Sequence, residues 1–327
     1  MNDVLIIIFP VVDLTIQING TLPLEPEQTM PVSTMALEPG GGANIVFMGT
    51  RLGLDIVHVG AIGEDYYGDF LLQKYNDEGA ENRYLQKIPD FTTQLVLCLN
   101  DREGNHAYVS MLEGRLAGIQ CPDKLIQQCR AIFISGYMLA SDNARETIIA
   151  LLKKVENTGQ IIFFDPGPMF NLFPGESLKY VLATTDVLVL NHQEAAGISG
   201  TERPEDAALL LAQRIRGIVV IKGGAKGCYV FRNGSGRWYK GFSVPVVDTT
   251  GAGDSFLGSF MRGMIDGWDM ETICTVANAT GAAMVQKAGS GTQVPALEEV
   301  LTVLNTNGYN VTRQQILNRG EKFVINH

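Results

Sequence analysis

The sequence predicts an α/β protein with a mainly parallel sheet and helices on both of its faces. Two observations carry this. Runs rich in β-branched and aromatic residues recur at Val4–Phe9, Ala131–Ser135, Gln160–Phe164, Val187–Leu190 and Ile218–Ile221. They lack the polar alternation of a half-solvated strand and read as strands buried on two sides. Helical patterns separate them, so strand and helix alternate along the chain. With 327 residues, 46% hydrophobic and 18% charged, the chain can bury a large core.

The first strand, Val4–Phe9, ends at Pro10 and delivers Asp13 beyond its C-terminal end, where open α/β sheets bind ligands. Thr15–Ile18 and Val32–Met35 are short alternating stretches separated by prolines, and read as small strands outside the main sheet. Gln94–Leu99 and Ala107–Met111 form a second such pair around a turn at Asp101–Asn105. Pro39-Gly40-Gly41-Gly42-Ala43-Asn44 opens a helical pattern through Val46, Phe47 and Thr50. Glycines there let a ligand approach the backbone, and the Asn44 amide can donate and accept across two hydroxyls. A plain helix start after a glycine loop is the competing reading. On the next strand, Ile56–Val59, His58 alternates with apolar neighbours and reads as a hydrogen-bonded structural histidine. Further helices are expected from Tyr67, at Asn143–Glu156 and at Glu205–Ile215, and the strand before Pro166 delivers Asp165.

Phe242–Val247 reads as an apolar, strand-like run leading into Asp248-Thr249-Thr250-Gly251-Ala252-Gly253-Asp254. Phe256, Phe260, Met261, Met264 and Ile265 follow at helical spacing, so the glycine loop turns into a helix. Small residues at a helix N-terminus let backbone N–H groups converge on an anion, giving Gly251, Ala252 and Gly253 as an anion hole. A carboxylate at the end of that loop suits proton acceptance, which makes Asp254 a candidate general base for phosphoryl transfer to a hydroxyl. The same residues also fit an Asp N-cap after a turn.

A net charge of −10 argues against nucleic-acid or anionic-membrane binding. No run approaches the ~20 apolar residues of a bilayer span. Five scattered cysteines without a C-x-x-C pair point to reduced thiols and a cytoplasmic setting. Gly-x-x-x-x-Gly-Lys-Ser/Thr is absent, as is Gly-x-Gly-x-x-Gly after the first strand and a His-Arg-Asp kinase set, which removes three competing phosphate-binding classes.

Asp-Thr-Thr-Gly-Ala-Gly-Asp-Ser-Phe at 248–256, the Gly-Gly…Asn tract at 40–44 and Asn191-x-x-Glu194 together resemble the PfkB (ribokinase-like) family of carbohydrate and nucleoside kinases. The resemblance covers about residues 4–305. It implies a ribokinase-like three-layer α/β/α sandwich over 1–310, with a small β-sheet lid from about 14–38 and 92–112 and a tail, 311–327, of no assigned role. It implies ATP and Mg2+ as cofactors, with K+ as a further one, and a homodimer paired through the lid by Val32, Met35, Leu95, Leu97, Val109 and Met111. Asp13, Asn44 and the Gly40-Gly41-Gly42 backbone would hold the acceptor, although the Gly that the family places before this Asp is replaced by Phe9 or Pro10. Asn191 would cap a helix or face phosphate, and Glu194 would hold hydrated Mg2+, with Asp165 beside it. Lys222, Gly224, Gly227 and Asn278 would lie along ATP, and Gly289–Thr292 with Asp248 near adenine and a monovalent cation. The acceptor is expected to be an unphosphorylated sugar: Met1–Thr50 holds no Lys or Arg, and only Arg115 and Arg102 are associated with the lid. A nucleoside kinase, a sugar-phosphate kinase using Arg115, and a ligand-sensing protein without turnover are the alternatives.

Overall fold

The structure, a computed structural model, describes residues 2–103, 106–110, 121–319 and 323–325. Strand β1 (Asn2–Ile7) leaves the main sheet through Ile8 and Phe9 and enters β2 (Pro10–Ile18), which pairs antiparallel with β3 (Val32–Gly41). Helix α1 (Gly42–Arg51) returns the chain to β4 (Ile56–Gly63), followed by α2 (Tyr66–Asp77) and β5 (Leu85–Ile88). Strands β6 (Gln94–Asn100) and β7 (His106–Ser110) revisit the second sheet. Strand and helix then alternate through α3 (Asp123–Gln127), β8 (Cys129–Ser135), α4 (Asp142–Val155), β9 (Ile161–Asp165), α5 (Gly175–Thr184), β10 (Val187–Asn191), α6 (His192–Ser199), α7 (Pro204–Ala212) and β11 (Ile218–Lys222). A hairpin, β12 (Gly227–Arg232) and β13 (Ser235–Lys240), precedes α8 (Ala252–Asp266), α9 (Met270–Met284), α10 (Leu297–Thr306) and α11 (Arg313–Leu317).

Among the described residues the main sheet has nine strands in the order β13-β12-β11-β10-β9-β8-β1-β4-β5, parallel except at the β11-β12-β13 edge. The second sheet is β3-β2-β6-β7. The α/β class and the separate small sheet are as the sequence predicts. Interior strand residues Val4, Leu5, Ile132, Phe163, Leu188 and Val219 are fully buried, which is why their runs show no alternation. From β1 the chain first builds outward to β4 and β5, then returns to β8 and builds the other way. The strand order therefore switches beside β1, and the crevice past the strands' C-terminal ends is placed there.

Four sequence expectations change. β1 stops at Ile7 rather than Phe9, because Pro10 already pairs with Gly41 in the other sheet. The small sheet takes in Pro10–Asp13 and Pro39–Gly41 as well as the stretches expected. Phe242–Val247 forms no strand: β12 and β13 occupy that edge, Pro245 has no N–H for a ladder, and Val246 and Val247 are exposed. The tail, to which the sequence assigns no role, forms α11, and Val311, Ile316, Phe323 and Ile325 are buried against the body. Phe323 meets the Trp268 ring edge-on at 5.2 Å, and Ile325 N–H donates to Thr272 Oγ1 at 2.9 Å.

Candidate active site

Helix α8 begins directly after the glycine loop. Its N-cap is Gly251 at φ 72°, a left-handed conformation that disfavours any side chain. A helix leaves its first-turn N–H groups without carbonyl partners in the helix, and Gly251 brings no side chain to cap them. Ala252 N–H turns back to Thr249 O at 3.3 Å. A Cβ on Gly253 would lie 3.1 Å from Lys222 Nζ, so the glycine lets that ammonium approach the loop.

Asp254 lies in the first turn of α8, and its Oδ2 accepts from Asn44 Nδ2 at 2.8 Å. Asn44 Oδ1 in turn accepts from Gly291 N–H at 2.6 Å, which fixes the amide's orientation. Burial lifts the Asp254 carboxyl to about 6; Asp165 adds to the lift, and the Asn44 hydrogen bond opposes it.

Asp13 is buried on β2, with Oδ2 accepting from Ser290 Oγ at 2.7 Å. Burial pushes it up to about 7 against that hydrogen bond, helped by Asp254 and Glu38. A Cβ on Gly40 would run into this carboxylate, and one on Gly42 into Ile8. Gly41, at φ 54°, turns β3 into α1. The Gly40–Gly42 tract thus brings Asp13 and Asn44 to the same crevice.

On the far side, Asn191 ends β10 and caps α6. Its Oδ1 accepts from Glu194 N–H at 2.9 Å, while its backbone and amide N–H groups both donate to the Glu194 carboxylate at 2.8 Å. Of the two readings of Asn191, the helix cap is the observed one. Glu194 is buried and raised to about 7, by burial first and by Asp165 second. Asp165, at the end of β9, pairs with Lys222 Nζ at 3.0 Å and accepts from Gly167 N–H. Burial opposes charge on Lys222, but Asp165 and Glu194 hold it protonated above the usual lysine range. A cleft of about 490 Å³ is lined by Asn191, Lys222, Gly223, Gly224, Lys226 and Trp238.

Other residues take different places. Asn278 Nδ2 donates to Tyr239 O and Lys240 O, anchoring the strand that carries Trp238. Gly227, at φ 101°, starts β12. Asp248 Oδ1 accepts from Thr250 N–H at 2.9 Å and Oδ2 from Gly289 N–H at 3.0 Å. The Gly289–Thr292 loop, expected near adenine, lies against Asp248, Asp13, Asn44 and Glu38. His58 bridges Tyr75 Oη and Ile8 O at 2.7 and 3.0 Å, and burial lowers it to about 4, so it is the neutral structural histidine expected. Arg115 and Met111 lie outside the described residues.

Glu38 and Trp238 carry no reading from sequence, and Ser290 carries one only as part of the Gly289–Thr292 loop. For Trp238 a signal was there: Asn233-Gly234 between two alternating runs marks a tight hairpin. Ser290 and Glu38 carry no local signal, because their partners are more than 250 residues away.

Helix-terminal amides, a carboxylate raised toward neutrality and a lysine beside an acidic patch, set at the strand ends of a doubly wound sheet, are groups of the kind that phosphoryl transfer uses. Residues 9–297 match the family model for pfkB family carbohydrate kinase, and the chain belongs to that family. The ribokinase of Haemophilus influenzae is 25% identical over 297 residues, spanning 86% of this chain and 92% of the relative. The nucleoside kinase of Methanothermobacter thermautotrophicus is 27% identical over 282 residues, spanning 85% and 88%. An Escherichia coli protein assigned as a ribokinase II, solved in complex with ATP and Mg2+, shares the fold with a TM-score of 0.80 at 21% identity, covering 94% of this chain and all of that one. The protein is an ATP-dependent carbohydrate kinase. No helix among the described residues is long and apolar enough to cross a membrane.

Proposed function

We propose that the protein transfers the γ-phosphoryl group of ATP to a free hydroxyl of a small, unphosphorylated, sugar-like acceptor. The observation that carries this is the Asp254 carboxylate, oriented by Asn44 at the start of α8 and raised to about 6 by its surroundings. Asp13, Asn44 and the backbone at Gly40–Gly42 hold the acceptor. One Asp13 oxygen is engaged by Ser290, and the other is left to meet an acceptor hydroxyl. The hydroxyl gives its proton to Asp254 as its oxygen bonds to the γ-phosphorus. The bond from that phosphorus to the bridging oxygen breaks, and ADP leaves with the electron pair. The amides of Gly251 and Gly253 stabilise the transferring charge, joined by Ala252 once it releases Thr249 O.

Lys222, Gly224 and Trp238, which line the cleft, form the nucleotide side, with Lys222 toward phosphate. The donors there suit Mg2+: Glu194 and Asp165 present hard carboxylate oxygens, and an ion that keeps several of its waters needs no more than one or two of them. Bound there, Mg2+ would neutralise phosphate charge. K+ beside Asp248 is the matching monovalent reading. Five unpaired cysteines suit a reducing, cytoplasmic setting. Val32, Met35 and Val109 expose apolar surface on the small sheet, which supports a homodimer paired through it. A monomer in sedimentation velocity at micromolar concentration would remove that pairing.

A specific observation favours a second acceptor class. His106 and Tyr108 stack on the lid, centroids 6.3 Å apart and 18° from parallel, an aromatic face of the kind a nucleoside base needs. A coupled ADP-release assay with free sugars, nucleosides and their monophosphates decides between them. Turnover is expected to require Mg2+ and to rank free sugars above monophosphates, and exchange of K+ for Na+ reads the Asp248 site. A higher kcat/KM for a monophosphate would sink the free-sugar reading. Preference for nucleosides installs the second, and no ADP release with any acceptor leaves the ligand-sensing alternative.

A further inference from the structure

The lid touches the glycine loop at a point the mechanism above does not use. His106 opens β7, the edge strand of the lid, and its register partner on β6 is Asn100. The His106 Nδ1 lies 2.9 Å from Asn100 Oδ1. An amide oxygen only accepts, so the proton sits on Nδ1 and Nε2 keeps its lone pair. That Nε2 faces Thr249 Oγ1 at 3.3 Å, and the threonine hydroxyl is the donor. Tyr108 stacks against the same imidazole. Thr249 stands two residues before Gly251, its carbonyl accepts the Ala252 N–H, and its neighbour Asp248 is tied to Gly289. One side chain thus links the lid's edge to the loop that carries the anion-binding amides.

We propose that His106 is a positioning residue for phosphoryl transfer: by holding Thr249, it couples the lid's place over the acceptor to the setting of the Thr249–Gly253 loop. The proposal rests on the kinase reading above and adds a device to it. With the lid seated, the amides face the phosphoryl group while the acceptor, rather than water, occupies the space next to it. Without the link, the β7 edge of the lid and the loop are less firmly coupled, so water competes better for the phosphoryl group. Asn100, Thr249 and Tyr108 surround the imidazole, and none carries charge at neutral pH. The link is therefore a neutral, half-exposed hydrogen bond with a moderate effect, about three- to tenfold.

The test compares His106→Ala, His106→Gln, Thr249→Val and the His106→Ala/Thr249→Val pair. Each is measured for acceptor phosphorylation, for ATP hydrolysis without acceptor, and for amide hydrogen exchange. His106→Ala and Thr249→Val are each expected to lower kcat/KM for the acceptor about three- to tenfold and to raise the ratio of hydrolysis to transfer by a similar factor. The double variant should be no worse than either single one, because both remove one contact. Glutamine, whose amide oxygen can accept from Thr249, should restore most of the loss. In His106→Ala the amide of Ala252, which donates to Thr249 O, should exchange faster, and in Thr249→Val those of β7. Additive losses with an unchanged hydrolysis ratio would overturn the proposal and leave the kinase reading standing. If the wild-type protein phosphorylates no acceptor, the kinase reading fails instead, and the exchange data alone decide the link: unaltered exchange in both segments ends it.

Discussion

Asp254→Asn is expected to lower kcat by about three orders of magnitude or more while ATP affinity stays within about a few-fold. Asparagine keeps the shape of the side chain, and its oxygen can still accept from Asn44 Nδ2, so the start of α8 should keep its geometry. What it cannot do is take the proton of the attacking hydroxyl. The pH dependence should change with it. Burial and Asp165 raise the Asp254 carboxyl to about 6, so the base is charged above that value and protonated below it. Wild-type kcat should therefore fall at least about tenfold per pH unit on the acid side of about 6, with Asp13 and Glu194, raised to about 7, adding their own protonation to the limb. The variant should lose the Asp254 share of that limb along with the rate. A kcat near that of the wild type would remove Asp254 as the base and leave it as the hydrogen-bond partner of Asn44 at the start of α8.

Arg262→Met is expected to cost the most stability of any single substitution considered, about 3 kcal/mol, read as a lower denaturation midpoint. The guanidinium is fully buried on α8, at the opposite end from the glycine loop. It pairs with Asp266 at 2.9 Å and donates to Gly53 O, Ile316 O and Leu317 O. Arg319 pairs with both Asp3 and Asp266, and Arg130 joins Asp3. The last turn of α8, the start of β1 and the tail are thereby tied into one charged cluster. Methionine keeps the packed stem but takes the donor from Ile316 O and Leu317 O and the nearest cation from a buried carboxylate, while Arg319 still donates to Gly53 O. Arg319 still faces Asp266, which keeps the loss at the low end of the roughly 3–5 kcal/mol for breaking a buried pair. Adding Asp266→Asn should recover part of it by removing a buried charge that has lost its nearest partner. An unchanged midpoint in Arg262→Met would mean the cluster contributes packing and no net electrostatic stability.

Local chemistry by itself determined a good part of this protein. Strands buried on two sides must be apolar at successive positions, so β8, β9, β10 and β11 were legible as unbroken runs. The turn of the glycine loop into α8, with Asp254 in its first turn, was legible because a helix start depends on adjacent residues only. His58 was legible as structural because it alternates with apolar neighbours, and the Asn191…Glu194 capping box because a cap spans three residues. Tertiary structure decided the rest. That Asn44 meets Asp254, that Ser290 holds Asp13, that His106 reaches Thr249, and that a tail with one short helix is clasped to β1 and α8 are contacts across 143 to 316 residues. No periodicity encodes such pairs. They come from where the sheet order switches beside β1 and from the chain leaving that sheet at Pro10, and both follow from packing the whole core at once rather than from any stretch of sequence.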